Sequence, residues 1–329
     1  MPKDIILLTG AGFTRNYNGF LSSDMWEQFF NNPKMPDKLK SLMRRGSRGD
    51  DDYFNYEDVV QKVMVEDDYR DSRDVIKVIV EETYNRQQEN INRYASDHAS
   101  LVGRLKDFVF NHIGLFFTLN QDTFVERYLH EPSTQILSLP YLENISSPND
   151  DDIPFKLPEQ KDTDVVSMPT LNGDKFVNYI KLHGSKNWYD SQGKNFPVIG
   201  KNKRELIDKE PLLKAYFSLF AKSMCEGKKL LVIGYSFADK HINEIILQGI
   251  SKGMKLFVID TISSRDFWHN LMGTSANPVA ALLHVSGSHR RILRDIWPGL
   301  SGYLRITNID EFLGSSTAGP NEAFPVLFS

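Results

Sequence analysis

The chain has 329 residues, 40% hydrophobic and 25% charged, which are ordinary globular values and suit one α/β domain with a sizeable insertion. A net charge of −4 gives no overall basic character, so direct nucleic-acid binding is not expected, and a single cysteine, Cys225, excludes an intrachain disulfide and an all-cysteine zinc site. No apolar run approaches the roughly 20 residues that cross a bilayer, and the first residues lack a signal-peptide pattern, so a soluble cytoplasmic protein without a membrane partner is expected.

Residues 5–8 read as a short buried strand, followed at once by Gly10-Ala11-Gly12 and Thr14. Glycines placed after a strand let the backbone approach a phosphate; a tight strand-to-helix turn is the other reading. A full G-x-G-x-x-G needs a third glycine where Arg15 stands, and no P-loop motif occurs. From about 20 to 111 the pattern turns helical. Val59, Val60, Val63 and Met64 mark one apolar face, Val75, Ile76, Ile79 and Val80 another, and Leu101, Leu105, Phe108 and Val109 a third. This stretch is far longer than a βαβ crossover needs and is predicted as a helical insertion. Its Arg44-Arg45-Gly46-Ser47-Arg48 and Asp50-Asp51-Asp52 clusters read as a solvated loop, with a basic ligand patch as the alternative.

Leu115-Phe116-Phe117-Thr118-Leu119 is an apolar run that ends in Asn120 and Asp122, the look of a buried parallel strand that delivers polar groups to the carboxyl edge of a sheet. Residues of about 131–177 are rich in Pro, Ser, Asn and Asp and are predicted as a long loop, a lid or an interface arm. A strand over 179–182 ends in His183-Gly184-Ser185. Leu212, Leu213, Tyr216, Phe217, Phe220 and Met224 mark an amphipathic helix. A strand over 230–233 runs into Gly234-Tyr235-Ser236-Phe237, a helix follows near 239–250, and a strand over 256–259 ends in Asp260. Strand, helix and strand at this spacing imply a right-handed parallel crossover. Further strands are predicted near 281–285 and 303–306, and the tail 315–329 is expected to be disordered or to dock on another subunit. The expected fold is α/β with a Rossmann-like, mostly parallel sheet. Residues 1–19 and 112–313 form its nucleotide-binding domain, 20–111 the helical insertion and 314–329 the tail.

Four strand ends on one sheet would make one site. His183 could act as a general base near neutral pH, or simply cap its strand. The other seven histidines have no comparable setting and no pair has zinc-ligand spacing, so no metal is expected. Asn120 cannot titrate, but its amide could orient a water or a ribose hydroxyl. Asp122 could support ligand contacts or only its turn. Gly234 and Ser236 look like a second phosphate-contact turn, with Phe237 in the core. Asp260 could bind a ribose diol or cap its own turn.

Taken in order, Gly10-Ala11-Gly12 with Thr14, Thr118-x-Asn120-x-Asp122, His183-Gly184 and Gly234-Tyr235-Ser236 resemble the sirtuin superfamily, whose members cleave the nicotinamide–ribose bond of NAD. The resemblance covers about residues 4–265. The protein-deacylating members carry a Gly-Ile-Pro-Asp-Phe-Arg-like segment where Gly19-Phe20-Leu21-Ser22-Ser23-Asp24 stands here, and a four-cysteine zinc module that one cysteine cannot build. The Gly-Tyr-Ser-Phe turn with Asp239-x-x-Ile242-Asn243 is similar instead to bacterial anti-phage proteins that act as NAD glycohydrolases. The resemblance implies that Gly10, Ala11, Gly12 and Thr14, with Gly234 and Ser236, hold the pyrophosphate. It implies that Asn120 positions the ribose and the attacking water, that Asp122 supports this arrangement, and that His183 is the general base. NAD is then a substrate, consumed to nicotinamide and ADP-ribose. It further implies a homo-oligomer and a partner chain, a HerA-type ATPase or an Argonaute, with the trigger in the helical insertion, in self-assembly or in that partner. A deacylase or ADP-ribosyl transferase on the same scaffold, and a non-catalytic module that senses NAD or ADP-ribose, are the alternatives.

Overall fold

The computed structural model describes residues 3–45, 56–129, 137–138, 155–156, 177–189, 199, 203–272, 287–314 and 327. Its central element is a seven-stranded sheet. In chain order the strands are β1 (Ile5–Thr9), β2 (Ile113–Thr118), the two-residue β3 (Leu137–Ser138), β5 (Val177–Lys181), β7 (Lys229–Ile233), β8 (Lys255–Asp260) and β9 (Leu300–Arg305). In space they run β3-β5-β2-β1-β7-β8-β9, and every neighbouring pair is parallel. A separate two-stranded sheet pairs β4 (Phe155–Lys156) with β6 (Trp188–Tyr189). Beyond the short edge strand β3, the chain winds outward from β1 through β2 to β5, then returns beside β1 and winds the other way. This is the doubly wound, Rossmann-like order, and its direction reverses between β1 and β7.

Strict alternation along the strands fills both faces. Ile5 and Leu7 of β1 join Phe116, Leu231 and Phe257 in one core, covered by α6 (Ala99–His112), α7 (Phe124–Tyr128) and α13 (Asp310–Leu313). Ile6 and Leu8 join Leu115, Phe117, Leu230 and Leu256 in the other. That face is covered by α9 (Pro211–Ser223), α10 (Lys240–Ser251), α11 (Ser264–Met272) and α12 (Gly287–Ile296). Strands buried on both faces need continuous apolar sequence, which is what β1, β2 and β7 have.

Between β1 and β2 lie α1 (Ala11–Arg15), α2 (Ser22–Asn31), α3 (Asp37–Arg45), α4 (Tyr56–Val65) and α5 (Arg73–Asp97) before α6. Phe29, Leu39, Val59 and Ile79 build a third core within this stretch. The 25-residue α5 spans two cores: Ile76, Ile79 and Val80 at its start belong to the third, whereas Ile91 and Ala95 near its end pack with the sheet residues. The helical stretch is therefore tied to the sheet by a continuous helix and by α6, not by a linker.

The strand predicted over 303–306 starts earlier, at Leu300, because residues 300–305 pair with β8 in a register that puts Tyr303 opposite Val258. The strand predicted near 281–285 lies outside the described residues, as do most of 131–177 and of the tail. Two short strands, β3 and β4, fall within 131–177, where a loop was expected. Leu327 of the tail is buried in the core of the α6 face, so at that position the tail packs on its own chain. Among the described residues no helix is long and apolar enough to cross a membrane.

The reversal point is closed by backbone touching backbone. The Gly10 amide donates to the Ile233 carbonyl (3.1 Å) and the Gly12 amide to the Gly234 carbonyl (2.9 Å). A Cβ on Gly10 would lie 2.7 Å from the Gly234 oxygen, and one on Gly12 would lie 2.8 Å from the Gly234 Cα. Gly234 has φ +63°, and its Cβ would sit 2.3 Å from both the Gly12 carbonyl carbon and the Phe13 nitrogen. Gly234→Ala is therefore expected to lower unfolding stability by about 3 kcal/mol or more, through the left-handed φ and the overlap together. Ser236→Ala, on the exposed side of the same turn, should stay within about 0.5 kcal/mol. Urea unfolding midpoints of the two variants check this contrast.

Candidate functional site

All four polar strand ends predicted from sequence lie at the carboxyl edge of the sheet, after β1, β2, β5 and β7. Open α/β sheets bind ligands there, at the reversal of strand order. Asn120 follows β2 and is half-buried. Its Nδ2 donates to the Gly10 carbonyl (2.9 Å), and its own backbone amide donates to the Thr118 hydroxyl (3.1 Å), which in turn accepts from Thr9 (2.8 Å). These bonds lock the Asn120 amide beside the glycine turn. The carbonyl end of the amide is left to accept a hydrogen bond from a ribose hydroxyl or a water.

The Gly10 amide is taken by the last carbonyl of β7 and the Gly12 amide by the Gly234 carbonyl just after it, so neither donor is left for a ligand. Thr14 is buried, its hydroxyl turned back to the Ala11 carbonyl (3.3 Å) and towards Asp122, which places it beneath the turn. Ser236 is exposed on the rim of the β7 turn. Asp260, at the end of β8, uses one carboxylate oxygen to accept from the amides of Thr261 (2.6 Å) and Ile262 (3.4 Å). That is the turn-capping role, and burial raises its carboxyl above the usual range.

Asp122 is also a buried group. Oδ1 accepts from the Phe124 amide (3.0 Å), and Oδ2 has no hydrogen-bond partner. Burial raises its pKa, opposed by the Lys181 ammonium and the Phe124 amide. Lys181 is fully buried at the end of β5, donates to the Asp122 carbonyl, and forms an ion pair with Glu126 (2.7 Å). Asp122 thus anchors the loop after Asn120 and stands behind the site. Gln121 ties that loop to its neighbours: its Nε2 donates to the His183 carbonyl (3.2 Å), and its Oε1 accepts from the Tyr84 hydroxyl of α5 (2.6 Å). Gln121, Lys181 and Glu126 carry no motif. A lysine inside the apolar run Tyr179-Ile180-Lys181-Leu182 was the one available signal, since a buried cation needs an anionic partner.

His183 follows β5 and is 3% exposed. Its ring lies near Phe217 (centroids 6.5 Å apart, 17° between planes), and its Nε2 sits 3.3 Å from Nε2 of His241, the second residue of α10. The expectation that no other histidine shares such a setting is therefore corrected. Sequence separates the two rings by 58 residues, and only the crossover between β5 and β7 brings them together. Burial pushes His183 well below the ordinary histidine value, against the pull of Asp239 and helped by Lys203 and His241. His241 is pushed down to about 4 by burial, again opposed by Asp239. Both rings are neutral near pH 7, which lets His183 act as a base.

Asp239 stands just before α10 without a side-chain cap bond and is paired with Lys203 (3.1 Å), the first residue of α8 (Lys203–Lys209); Lys203 also pairs with Glu57 of α4 (3.0 Å). The lysine holds the Asp239 carboxyl well below the usual range against the opposing effect of burial, and the two carboxylates hold Lys203 above its own. Tyr235 and Asn243 brace the turn: the Tyr235 hydroxyl donates to Asn243 (3.0 Å), and Asn243 donates to the Phe237 carbonyl (2.7 Å). Phe237 is fully buried, as predicted for a core residue, and holds φ +57°. Ligand atoms of His183, Asp239 and His241 lie within 4.8 Å of one another, a grouping that the expectation of no metal did not foresee.

Residues 114–263 match the model of the SIR2-like domain family. The match starts in β2 and ends just past β8, so it contains Asn120, His183 and the Gly234 turn and leaves out β1 with its glycines. No curated protein matches the chain.

The paired histidines predict a pH dependence. Each ring is neutral when folded and has a lowered pKa, so the unfolded chain binds more protons below about pH 6.5. Their contribution to stability is full above that value and is lost as pH falls through the folded values. Between about pH 6.5 and 4 His241 should steepen the loss by up to about 1.4 kcal/mol per pH unit, and His183 adds to it in the same direction. The double variant His183→Asn/His241→Asn should show a flatter curve over that window in urea midpoints measured against pH.

Proposed function

We propose that this SIR2-like domain hydrolyses NAD+ at the nicotinamide–ribose bond and releases nicotinamide and ADP-ribose. The observation that carries the reading is the pairing, at one carboxyl edge, of a fixed amide with a buried neutral imidazole. Asn120 is held on the Gly10 carbonyl and His183 is kept unprotonated by burial. The SIR2-like match supports NAD as the substrate class.

The backbone crossing of Gly10, Gly12 and Gly234 offers a close seat for the pyrophosphate, with the Ser236 hydroxyl on its rim. Asn120 orients the ribose and a water through its amide. His183 accepts a proton from the ribose or the water as the glycosidic bond breaks. An oxocarbenium-like state gains from polar groups that are already in place, because they need no reorganisation. Asp122, behind the loop, holds Asn120 where it acts and does not meet the substrate.

The biological role and the partners come with the resemblance. NAD+ depletion would serve anti-phage defence, in a homo-oligomer and with a partner ATPase of the HerA type or an Argonaute. Among the described residues, α4 and α5 of the helical stretch reach the site through Glu57 on Lys203 and Tyr84 on Gln121, which suits control from that side.

The test is incubation of the full chain with NAD+, following nicotinamide and ADP-ribose. The wild type should give both in equal amounts. Asn120→Ala and His183→Ala should each lose roughly 100-fold or more in turnover. O-acyl-ADP-ribose or ADP-ribosylated protein in place of free ADP-ribose would overturn hydrolysis in favour of deacylation or transfer.

A further inference from the structure

Hydrolysis of NAD+ to nicotinamide and ADP-ribose releases one proton, because a cationic pyridinium and water become two products without that positive charge. A base buried as deeply as His183 must hand that proton on before it can act again. Little of the ring meets bulk solvent, since His183 is 3% exposed and is flanked by Phe217. Among the described residues His183 has one titratable neighbour in hydrogen-bond range, His241, at 3.3 Å between the two Nε2 atoms. His241 is half-buried, so it touches both the buried ring and the outside. Asp239, Lys203, Arg204 and Asp208 face it from the α10 cap and from α8.

We infer that His241 is a proton-relay residue for His183, carrying the proton of each turnover from the buried base to solvent. The inference rests on the proposed hydrolysis. In the resting pair, the His183 Nε2–H donates to the His241 Nε2 lone pair. As water or the ribose hydroxyl reacts, its proton goes to His183 Nδ1. The His183 Nε2 proton then passes to His241 Nε2, and His241 becomes the imidazolium, attracted by the Asp239 carboxylate. His241 gives its Nδ1 proton to solvent, and tautomer exchange resets both rings. No oxidant, metal or cofactor takes part.

The same three side chains could be considered as metal ligands. Against that stands the Lys203 ammonium, 3.1 Å from the Asp239 carboxylate, which places a positive charge where a dication would have to bind. A proton shared between two neutral imidazoles meets no such penalty until turnover.

The experiment compares NAD+ turnover by the full-length wild type and His241→Ala as imidazole in the buffer is raised. The relay predicts that kcat falls roughly 100-fold in the variant. KM for NAD+ should stay within about two-fold, since substrate contacts are untouched. Free imidazole should restore kcat in the variant, with saturation, and leave the wild type unchanged. A kcat within about two-fold of wild type, or a loss that imidazole does not repair, overturns the relay. Histidine ¹⁵N NMR of the ligand-free protein separates this from the hydrolysis itself. One ring protonated and the other unprotonated at Nε2, with the His183 signals shifted by His241→Gln, supports the shared proton even where the wild type releases no ADP-ribose. That last result would overturn only the hydrolase reading. Two rings each carrying an Nε2 proton, or His183 signals indifferent to the variant, overturn the relay.

Discussion

The structure depends on the place where β1 and β7 meet through bare backbone. Gly10 and Gly12 press on Gly234 at distances that no side chain tolerates, and two hydrogen bonds fasten the contact. Because the strand order reverses here, these turns are the two lips of the crevice. The close approach serves the fold first. It also leaves bare backbone at the reversal point, where the proposed pyrophosphate seat lies. Asn120 joins the contact by donating to the Gly10 carbonyl, so a polar group central to the proposed chemistry is set by the same backbone.

Around this floor, charge is managed by burial. Lys181 with Asp122 and Glu126 sits behind one side, and Lys203 with Asp239 and Glu57 behind the other. A buried lysine is tolerated only when carboxylates meet it, and each lysine here ties two separate segments. Lys181 of β5 holds the loop after β2 and the start of α7. Lys203 of α8 holds the cap of α10 and helix α4. The second pair joins the helical stretch to the start of α10, which carries His241. Through Lys203, Glu57 of α4 is linked to Asp239, beside both histidines.

At the two histidines desolvation suits the proposed chemistry. A ring stripped of water and flanked by Phe217 loses its charge, and a neutral ring is what a base must be. The same burial would trap the proton it accepts. A second, less buried imidazole at 3.3 Å answers that need with the chemistry the site already has.

Sequence alone determined β1, β2, β5, β7 and β8 and their polar ends, because those signals are local, whereas the two-residue β3 and β4 fell in a stretch read as loop. An apolar run that stops at glycine, amide or histidine is written in consecutive residues, and so Gly10, Asn120, His183 and Gly234 were legible. The amphipathic faces of α4, α5, α9 and α10 were legible for the same reason, through helical periodicity. Which neighbours those ends acquire was decided by the tertiary structure. His241 lies 58 residues from His183, Lys203 lies 36 from Asp239, and Asn120 lies 110 from Gly10. Asp260 and Thr14 fitted a ligand-binding pattern equally well on paper, yet packing turned one to its own turn and the other beneath the floor. Such outcomes depend on strand order and burial, which no short run of residues encodes.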